Sequence, residues 1–258
     1  INIKMKKTLL LIFLFTILFK NSFSRSVGET EILTDEGIEV FQNEKFYLLK
    51  KNVRIIADDF NLSGDEVKIY FDKDLYDIID IQAKGDVNLD SKSYKIKSSG
   101  SSIDIQIIKE EITVKGEASK LYLENVEMLS DGLIKVNNLT GAFEIIGSNS
   151  FLKSEDIYIK GNNINGFFST TNTREILKLN VKDDLLSNIK TEDLDMHSKK
   201  AIYNKETSII ELFENVKIVR GSEIITGDYG TLDTKNNSYK VKSNNSGKVK
   251  VLITDSNE

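Results

Sequence analysis

After an apolar amino-terminal segment, apolar and polar residues alternate in short runs along the chain. Val53 with Ile55 and Val216 with Ile218 are typical pairs, each separated by a polar residue. Such period-2 alternation indicates strands that bury one face and expose the other. Turn-forming triplets such as Ser63-Gly64-Asp65 separate the runs. The pattern therefore predicts an all-β, antiparallel protein, either a sandwich, a barrel or a roll.

The length of 258 residues suits one large β-domain or two small ones. We predict a β-roll over residues 25–258, either continuous or as two stacked halves of about 25–125 and 126–258. The segment 182–197 (KDDLLSNIKTEDLDMH) interrupts the alternation. For this segment we predict either a loop or one or two helical turns.

The amino terminus has the order of a secretory signal peptide over residues 5–24. Lys6 and Lys7 precede the apolar run TLLLIFLFTILF, and Ser22-Phe23-Ser24 is a small-x-small cleavage site. Twelve apolar residues are fewer than the roughly 20 that a membrane-spanning helix needs. We therefore expect cleavage after Ser24 and export, with an uncleaved membrane anchor as the alternative.

Export would leave an acidic protein without cysteine. The chain has 35 basic and 40 acidic residues, and removal of four lysines with the leader leaves 31 against 40, a net charge of −9. Nucleic-acid-binding proteins generally carry a basic excess, so no nucleic-acid partner is expected. The absence of cysteine excludes disulfides and thiolate metal sites.

One hairpin sequence occurs twice, 163 residues apart. Asn52-Val53-Arg54-Ile55-Ile56 followed by Leu62-Ser63-Gly64-Asp65 matches Asn215-Val216-Lys217-Ile218-Val219 followed by Ile225-Thr226-Gly227-Asp228. A looser copy is Gly85-Asp86-Val87-Asn88-Leu89. The repeat predicts one hairpin unit stacked several times, as in an elongated roll.

At these residues the chain resembles the LptA/OstA amino-terminal-domain family, the periplasmic proteins of lipopolysaccharide export in Gram-negative bacteria. The family motif is Gly-Asn-Val-x-apolar, followed by a second strand with a small residue and Asp. Residues 201–251 match it best, and residues 100–190 match only in the spacing of their strands and turns. Lys51 and Glu214 stand where Gly is usual, and Asp86 replaces Asn.

The resemblance implies an OstA-like antiparallel β-jellyroll whose apolar interior holds the acyl chains of lipid A. It also implies a role in outer-membrane biogenesis, and joining to LptC-like and LptD-like β-roll proteins by edge-strand pairing or to further copies of the chain. The edge strands would lie near residues 32–40 and 248–253. The residues that we predict to line the groove are Val53, Ile55, Leu62, Ile69, Val87, Leu89, Val216, Ile218, Ile225 and Leu232.

Other chemistry has little support in the sequence. Asp59-x-Asn61-x-Ser63-Gly64 imitates the start of a calcium loop, but Tyr70 occupies the position of the bidentate Glu. His197 is the only histidine and has no evident nucleophile beside it. We predict no enzyme activity, catalytic residue, metal or cofactor. The alternatives to a lipid carrier are a structural or LptC-like anchored β-roll without lipid transfer and a glycan-active β-helix enzyme.

Overall fold

The structure is a computed structural model that describes residues 26–74, 76–154, 157–171, 174–244 and 247–253. These residues form twenty β-strands in one hydrogen-bonded network, and none of them lies in a helix. All strand pairs are antiparallel, which confirms the predicted fold class. The strands are β1 (Glu31–Leu33), β2 (Ile38–Phe41), β3 (Phe46–Ile56), β4 (Phe60–Phe71), β5 (Ile78–Ser91), β6 (Ile96–Gln106), β7 (Glu111–Lys115), β8 (Ser119–Leu123), β9 (Val126–Ser130), β10 (Leu133–Asn137), β11 (Ala142–Ile146), β12 (Phe151–Ser154), β13 (Ile157–Lys160), β14 (Asn163–Phe168), β15 (Ile176–Lys190), β16 (Asp195–Asn204), β17 (Ile209–Arg220), β18 (Glu223–Asp233), β19 (Ser238–Lys242) and β20 (Lys250–Ile253).

The register divides the network into two layers that share one core. Strands β3 to β6 and β15 to β18 run through both layers. Between them the strands are short: β7, β10, β11 and β14 belong to layer I, and β8, β9, β12 and β13 to layer II. Strands β2 and β19 complete layer I, and β1 and β20 complete layer II. The arrangement is an elongated β-jellyroll built from stacked hairpins.

The sequence repeat marks the corner at which a strand passes from one layer to the other. In β3 the residues Lys51 and Asn52 have φ values of 61° and 50°, and in β17 Glu214 and Asn215 have 63° and 56°. Two successive left-handed residues interrupt the ladder and bend the strand, and Asn tolerates this conformation better than most residues. Register shifts occur at both positions. The Asn-Val motif is therefore the sequence signature of a corner.

The glycine of the repeat allows close approach on the strand opposite the corner. Gly64 pairs with Val53, and Gly227 pairs with Val216. A Cβ atom on Gly227 would lie 2.6 Å from a methyl group of Val241, so a larger residue would force the chains apart. A Cβ atom on Gly64 would likewise lie 3.1 Å from the carbonyl oxygen of Lys84, so close approach of the neighbouring strand accounts for the glycine of both copies.

Corners in the middle of the chain use glycine and serine instead. Gly116 and Gly147 have φ values of 119° and 135° and separate the short strands of the two layers. Serine hydroxyls beside these corners donate hydrogen bonds to carbonyl oxygens, as Ser119 and Ser150 do to Gly116 and Gly147, both at 2.7 Å. These bonds satisfy carbonyl groups that the interrupted ladder leaves without a strand partner. Buried serines are Ser91, Ser98, Ser119, Ser130, Ser150, Ser154, Ser187 and Ser198.

Replacement of Ser130 by valine should destabilise the fold. The Ser130 hydroxyl is buried, lies 2.9 Å from that of Ser150, and bonds the carbonyl of Ile146 and the amide of Gly132. Valine replaces the hydroxyl with methyl groups that cannot bond these partners and adds bulk at a fully buried position, so we expect a loss of about 2 kcal/mol or more in the free energy of unfolding. Chemical denaturation would measure it, with Ser102→Val as the control at a hydroxyl without these bonds. Equal stability of the two variants would contradict this role of the serine.

Several sequence-based expectations can be compared with this architecture. The segment 182–197, for which we predicted a helical turn or a loop, is instead the end of β15, a turn and the start of β16. The sheet continues through the proposed boundary near residue 125, where β8 pairs with β9, and the division into halves stays a prediction. The predicted signal peptide, 5–24, lies outside the described residues.

Candidate functional site

The ten predicted groove residues point into the space between the layers. Nine of them are buried, with 1–5% of their surface exposed, and Ile225 is partly buried. Register pairing places Ile55 beside Leu62, Leu62 beside Leu89, and Ile218 beside Ile225 on the inner face of layer II. Ile69 and Leu232 lie on the inner face of layer I. All ten thus face one interior, although they belong to its two ends rather than to one site.

The interior opens to solvent as an apolar cleft between the layers in the part of the sheet from β4 to β10. This cleft has a volume of about 100 Å³ and lies at the mouth, the edge opposite the corners where the hairpin turns are. Phe60, Leu89 and Ile96 line it from layer II, and Ile105 and Ile112 line it from layer I. Because both layers contribute apolar side chains, the cleft would accept a hydrocarbon group.

Most residues that line this cleft were not predicted from the sequence. Only Leu89 belongs to the predicted set, whereas Phe60, Ile105 and the turn residues Tyr94 and Ile107 do not. Alternation identifies which residues face inward, but it does not show where the two layers diverge. Tyr94 is the one local signal, because it is an aromatic residue in the otherwise polar turn between β5 and β6, and its ring is 49% exposed.

The rim of the cleft carries a few polar groups. Gln106, Glu110, Glu111 and Asn138 contribute to the lining, and the Asn138 amide donates a 2.6 Å hydrogen bond to the Glu110 carboxylate. The Gln106 side-chain oxygen is buried and has no hydrogen-bond partner among the described residues. The rim is therefore polar on one side, while the walls are apolar.

A tyrosine ties the two layers together across the mouth at the carboxy-terminal end. Tyr239 on β19 belongs to layer I, and its hydroxyl lies 2.6 Å from the carboxylate of Glu223, where β18 begins in layer II. Donation to this carboxylate raises the pKa of Tyr239, and partial burial adds to the effect, while Arg220 opposes it. We call this pair the cross-mouth bond.

Replacement of Tyr239 by phenylalanine should weaken this closure and change its dependence on pH. The pKa of Tyr239 is raised in the folded state, so the contribution of the bond is complete below the unfolded value of about 10 and is lost as pH rises through the folded value. We expect the variant to lose about 1 kcal/mol at pH 8 and less at pH 11.

Chemical denaturation at pH 8 and pH 11 measures this difference. Tyr76→Phe is the matched control, because that ring is 93% exposed. A Tyr239→Phe variant whose stability differs from the parent equally at both pH values would contradict the cross-mouth bond.

The residues considered for metal or catalytic chemistry lie in ordinary strand positions. The calcium-loop mimic from Asp59 to Gly64 falls largely on β4, where Phe60 and Leu62 face inward. His197 is on β16, with its Nε2 3.0 Å from the Asp195 carboxylate. Among the described residues, no group of three or more His, Asp and Glu side chains could hold a metal ion. The same part of the chain has no helix long and apolar enough to cross a membrane.

Comparisons with known proteins find similarity among solved structures. No family model and no curated protein matches the sequence. Among solved structures, the chain is similar to the crystal structure of LptH from Pseudomonas aeruginosa, described as the LptA homologous periplasmic component of the conserved lipopolysaccharide transport device. The two sequences are 8% identical, the match covers 88% of this chain and 95% of that chain, and the TM-score is 0.22. A likeness of this degree does not by itself assign a function.

Proposed function

We propose that this protein is a periplasmic lipid carrier that holds acyl chains between its two β-layers during lipopolysaccharide transport to the outer membrane. The observation that carries the proposal is the apolar cleft at the mouth, with walls from both layers. The choice of lipopolysaccharide follows from the sequence resemblance to OstA-like proteins. Export by the predicted signal peptide would place the chain in the periplasm.

An acyl chain suits this interior because it offers no hydrogen bonds. Its transfer from water contributes about 0.8 kcal/mol per buried methylene, so roughly twelve methylenes would contribute on the order of 10 kcal/mol. The protein therefore needs apolar area rather than charge to retain the lipid, which agrees with its acidic composition.

The two layers must separate before a whole acyl chain can enter. A volume of about 100 Å³ is below the range of 300–1,000 Å³ that is typical of small-molecule sites. No backbone hydrogen bond joins the inner faces across the mouth among the described strand pairs, so side-chain packing and the cross-mouth bond oppose opening there. We infer that lipid enters from the mouth, while the corners act as the hinge.

The ends of the jellyroll are suited to joining other β-roll proteins. Strands β1 and β2 form one end and β19 and β20 the other, each paired on one side only among the described strands. Exposed apolar residues there include Ile38, Val40, Val251 and Ile253. Unprotected edges of this kind pair with other strands. We propose LptC-like and LptD-like partners or a second copy, and a strict monomer at all concentrations in size-exclusion chromatography would contradict self-association.

A structural β-roll without lipid transfer is the second candidate. Nine of the ten predicted groove residues are buried, as expected for a core that is sealed at both ends of the molecule. In that case the cleft would be a packing irregularity. This alternative predicts the same stability but no lipid adduct from any inward position.

Site-specific photo-crosslinking in cells separates the two candidates. A photoreactive residue would be placed at inward positions 55, 105 and 218, with outward position 217 as the matched control on β17. The carrier predicts adducts that carry lipopolysaccharide from the inward positions and none from position 217. The absence of adducts from all three inward positions would reject the carrier and favour the structural roll.

A further inference from the structure

A second concave site lies on the outer face of layer II, on the opposite side of the sheet from the apolar interior. It is a trough of about 570 Å³ near the amino-terminal copy of the repeat. The strand register aligns Arg54, Ser63, Asn88 and Ser99 directly across β3 to β6, and Lys120 on β8 continues the row. Since adjacent strands are about 4.8 Å apart, this row spans roughly 19 Å.

The trough is concave because its floor carries short side chains. The outward positions on the floor hold the short side chains of Ser63, Asn88 and Ser99. The longer side chains of Arg54 and Lys97 lie beside them and form part of the wall. The floor thus offers hydroxyl and amide groups that both donate and accept hydrogen bonds. None of these three floor side chains contributes to the hydrophobic core.

The rim supplies an aromatic ring and the guanidinium group of Arg54. Tyr122 is 40% exposed and its hydroxyl lies 3.2 Å from the Glu127 carboxylate, which leaves the ring at the edge of the trough. Lys97 is paired with Asp90 at 3.2 Å. Arg54 has no carboxylate within ion-pair distance among the described side chains. An exposed guanidinium beside polar groups favours a ligand with a carboxylate or phosphate group.

We propose that this trough binds an acidic oligosaccharide. Hydroxyl groups of the sugars would exchange hydrogen bonds with Ser63, Asn88 and Ser99, a pyranose face would lie on Tyr122, and an acidic substituent would bind Arg54. The site goes beyond the proposed lipid carriage, because the polar side chains that would bind the sugar lie on the outer face of the sheet, whereas the cleft lies on its inner face. Failure of one proposal therefore leaves the other standing.

The carboxy-terminal repeat offers an internal control. In this repeat Lys217 and Thr226 occupy the positions of Arg54 and Ser63. Two neighbouring positions differ. Ile224 replaces Asn61, and the residue paired with Thr226 is Lys250, whereas the residue paired with Ser63 is Asn88. The same charge change can therefore be made in equivalent strands, once inside the trough and once outside it. Ser63→Glu and Thr226→Glu form this pair.

Nuclear magnetic resonance titration of the ¹⁵N-labelled protein tests the proposal, with hexagalacturonate as the acidic probe and maltohexaose as the neutral one. We expect saturable shifts of amides around residues 61–63, 88–90 and 97–99, and tighter binding of hexagalacturonate. Ser63→Glu should weaken that binding by at least about tenfold, because the new carboxylate competes for Arg54. Thr226→Glu should leave it unchanged, and Arg54→Gln should abolish the preference for the acidic probe.

Two results would overturn the proposal. One is the absence of saturable shifts with either sugar. The other is a set of hexagalacturonate shifts that spreads over lysines of both layers and responds equally to Ser63→Glu and Thr226→Glu, which indicates general attraction of an anion. Retained amide dispersion in each variant shows that a loss of binding does not come from unfolding.

Discussion

Replacement of Ile105 by tryptophan should strongly reduce lipid capture while the protein remains folded. Ile105 is partly buried, faces inward from β6 and lines the cleft. The indole would occupy the small volume that the first part of an acyl chain needs. Because Ile105 is not fully enclosed, the larger ring can turn toward the mouth, and the stability should change by less than about 2 kcal/mol.

The amount of lipid that copurifies with the protein, or crosslinks from position 55, should fall at least about tenfold in Ile105→Trp, a loss of roughly 1.4 kcal/mol or more. Ile108→Trp is the matched control, because Ile108 is 74% exposed in the adjoining turn and does not line the cleft. Undiminished lipid capture by the Ile105 variant would show that acyl chains bind elsewhere.

An aspartate at position 121 should prevent stable folding. Leu121 on β8 is fully buried and faces the interior between the layers, next to Ser98 and Met128 in the register. A carboxylate there would have no cation beside it, and the cost of burying it reaches several kcal/mol. Domains of this size are stable by only about 5–15 kcal/mol, so most of that margin would be lost.

Circular dichroism during thermal unfolding measures the effect, and Lys120→Asp provides a control one residue away on the outer face. We expect a cooperative transition for Lys120→Asp and a lowered or absent one for Leu121→Asp. A Leu121→Asp variant as stable as the parent would mean that the layers are not packed against each other at this position.

The strand content was predictable because apolar and polar residues alternate along nearly every strand. Buried and more exposed residues alternate along β8 and β9, as the sequence implies for strands with one face in the core and the other toward solvent. The repeated Asn-Val motif predicted a stacked hairpin unit, whereas its role as a corner of two successive left-handed residues appears only in the backbone. Local sequence therefore specifies the strands, but it did not predict their bends.

Two features were not predictable from local sequence. The segment around Asp183 and Asp184 breaks the alternation, because the register of β15 with β16 shifts there, and a strand with such an interruption resembles a loop in sequence. The cleft depends on how Phe60 and Ile105, which are distant in sequence, approach across the mouth. That distance is a property of the stacked layers rather than of any strand.

Paramagnetic broadening by a spin-labelled fatty acid would test the acyl-chain cleft most directly. With Ile and Leu methyl groups labelled, an acyl chain in the cleft should cause saturable broadening at Leu89, Ile105 and Ile112 and leave sharp signals for the outward residues Leu177 and Leu185 on β15, five strands away from β6. Uniformly sharp inward methyl signals at saturating fatty acid, or broadening confined to the outward residues, would contradict a hydrocarbon site between the two layers.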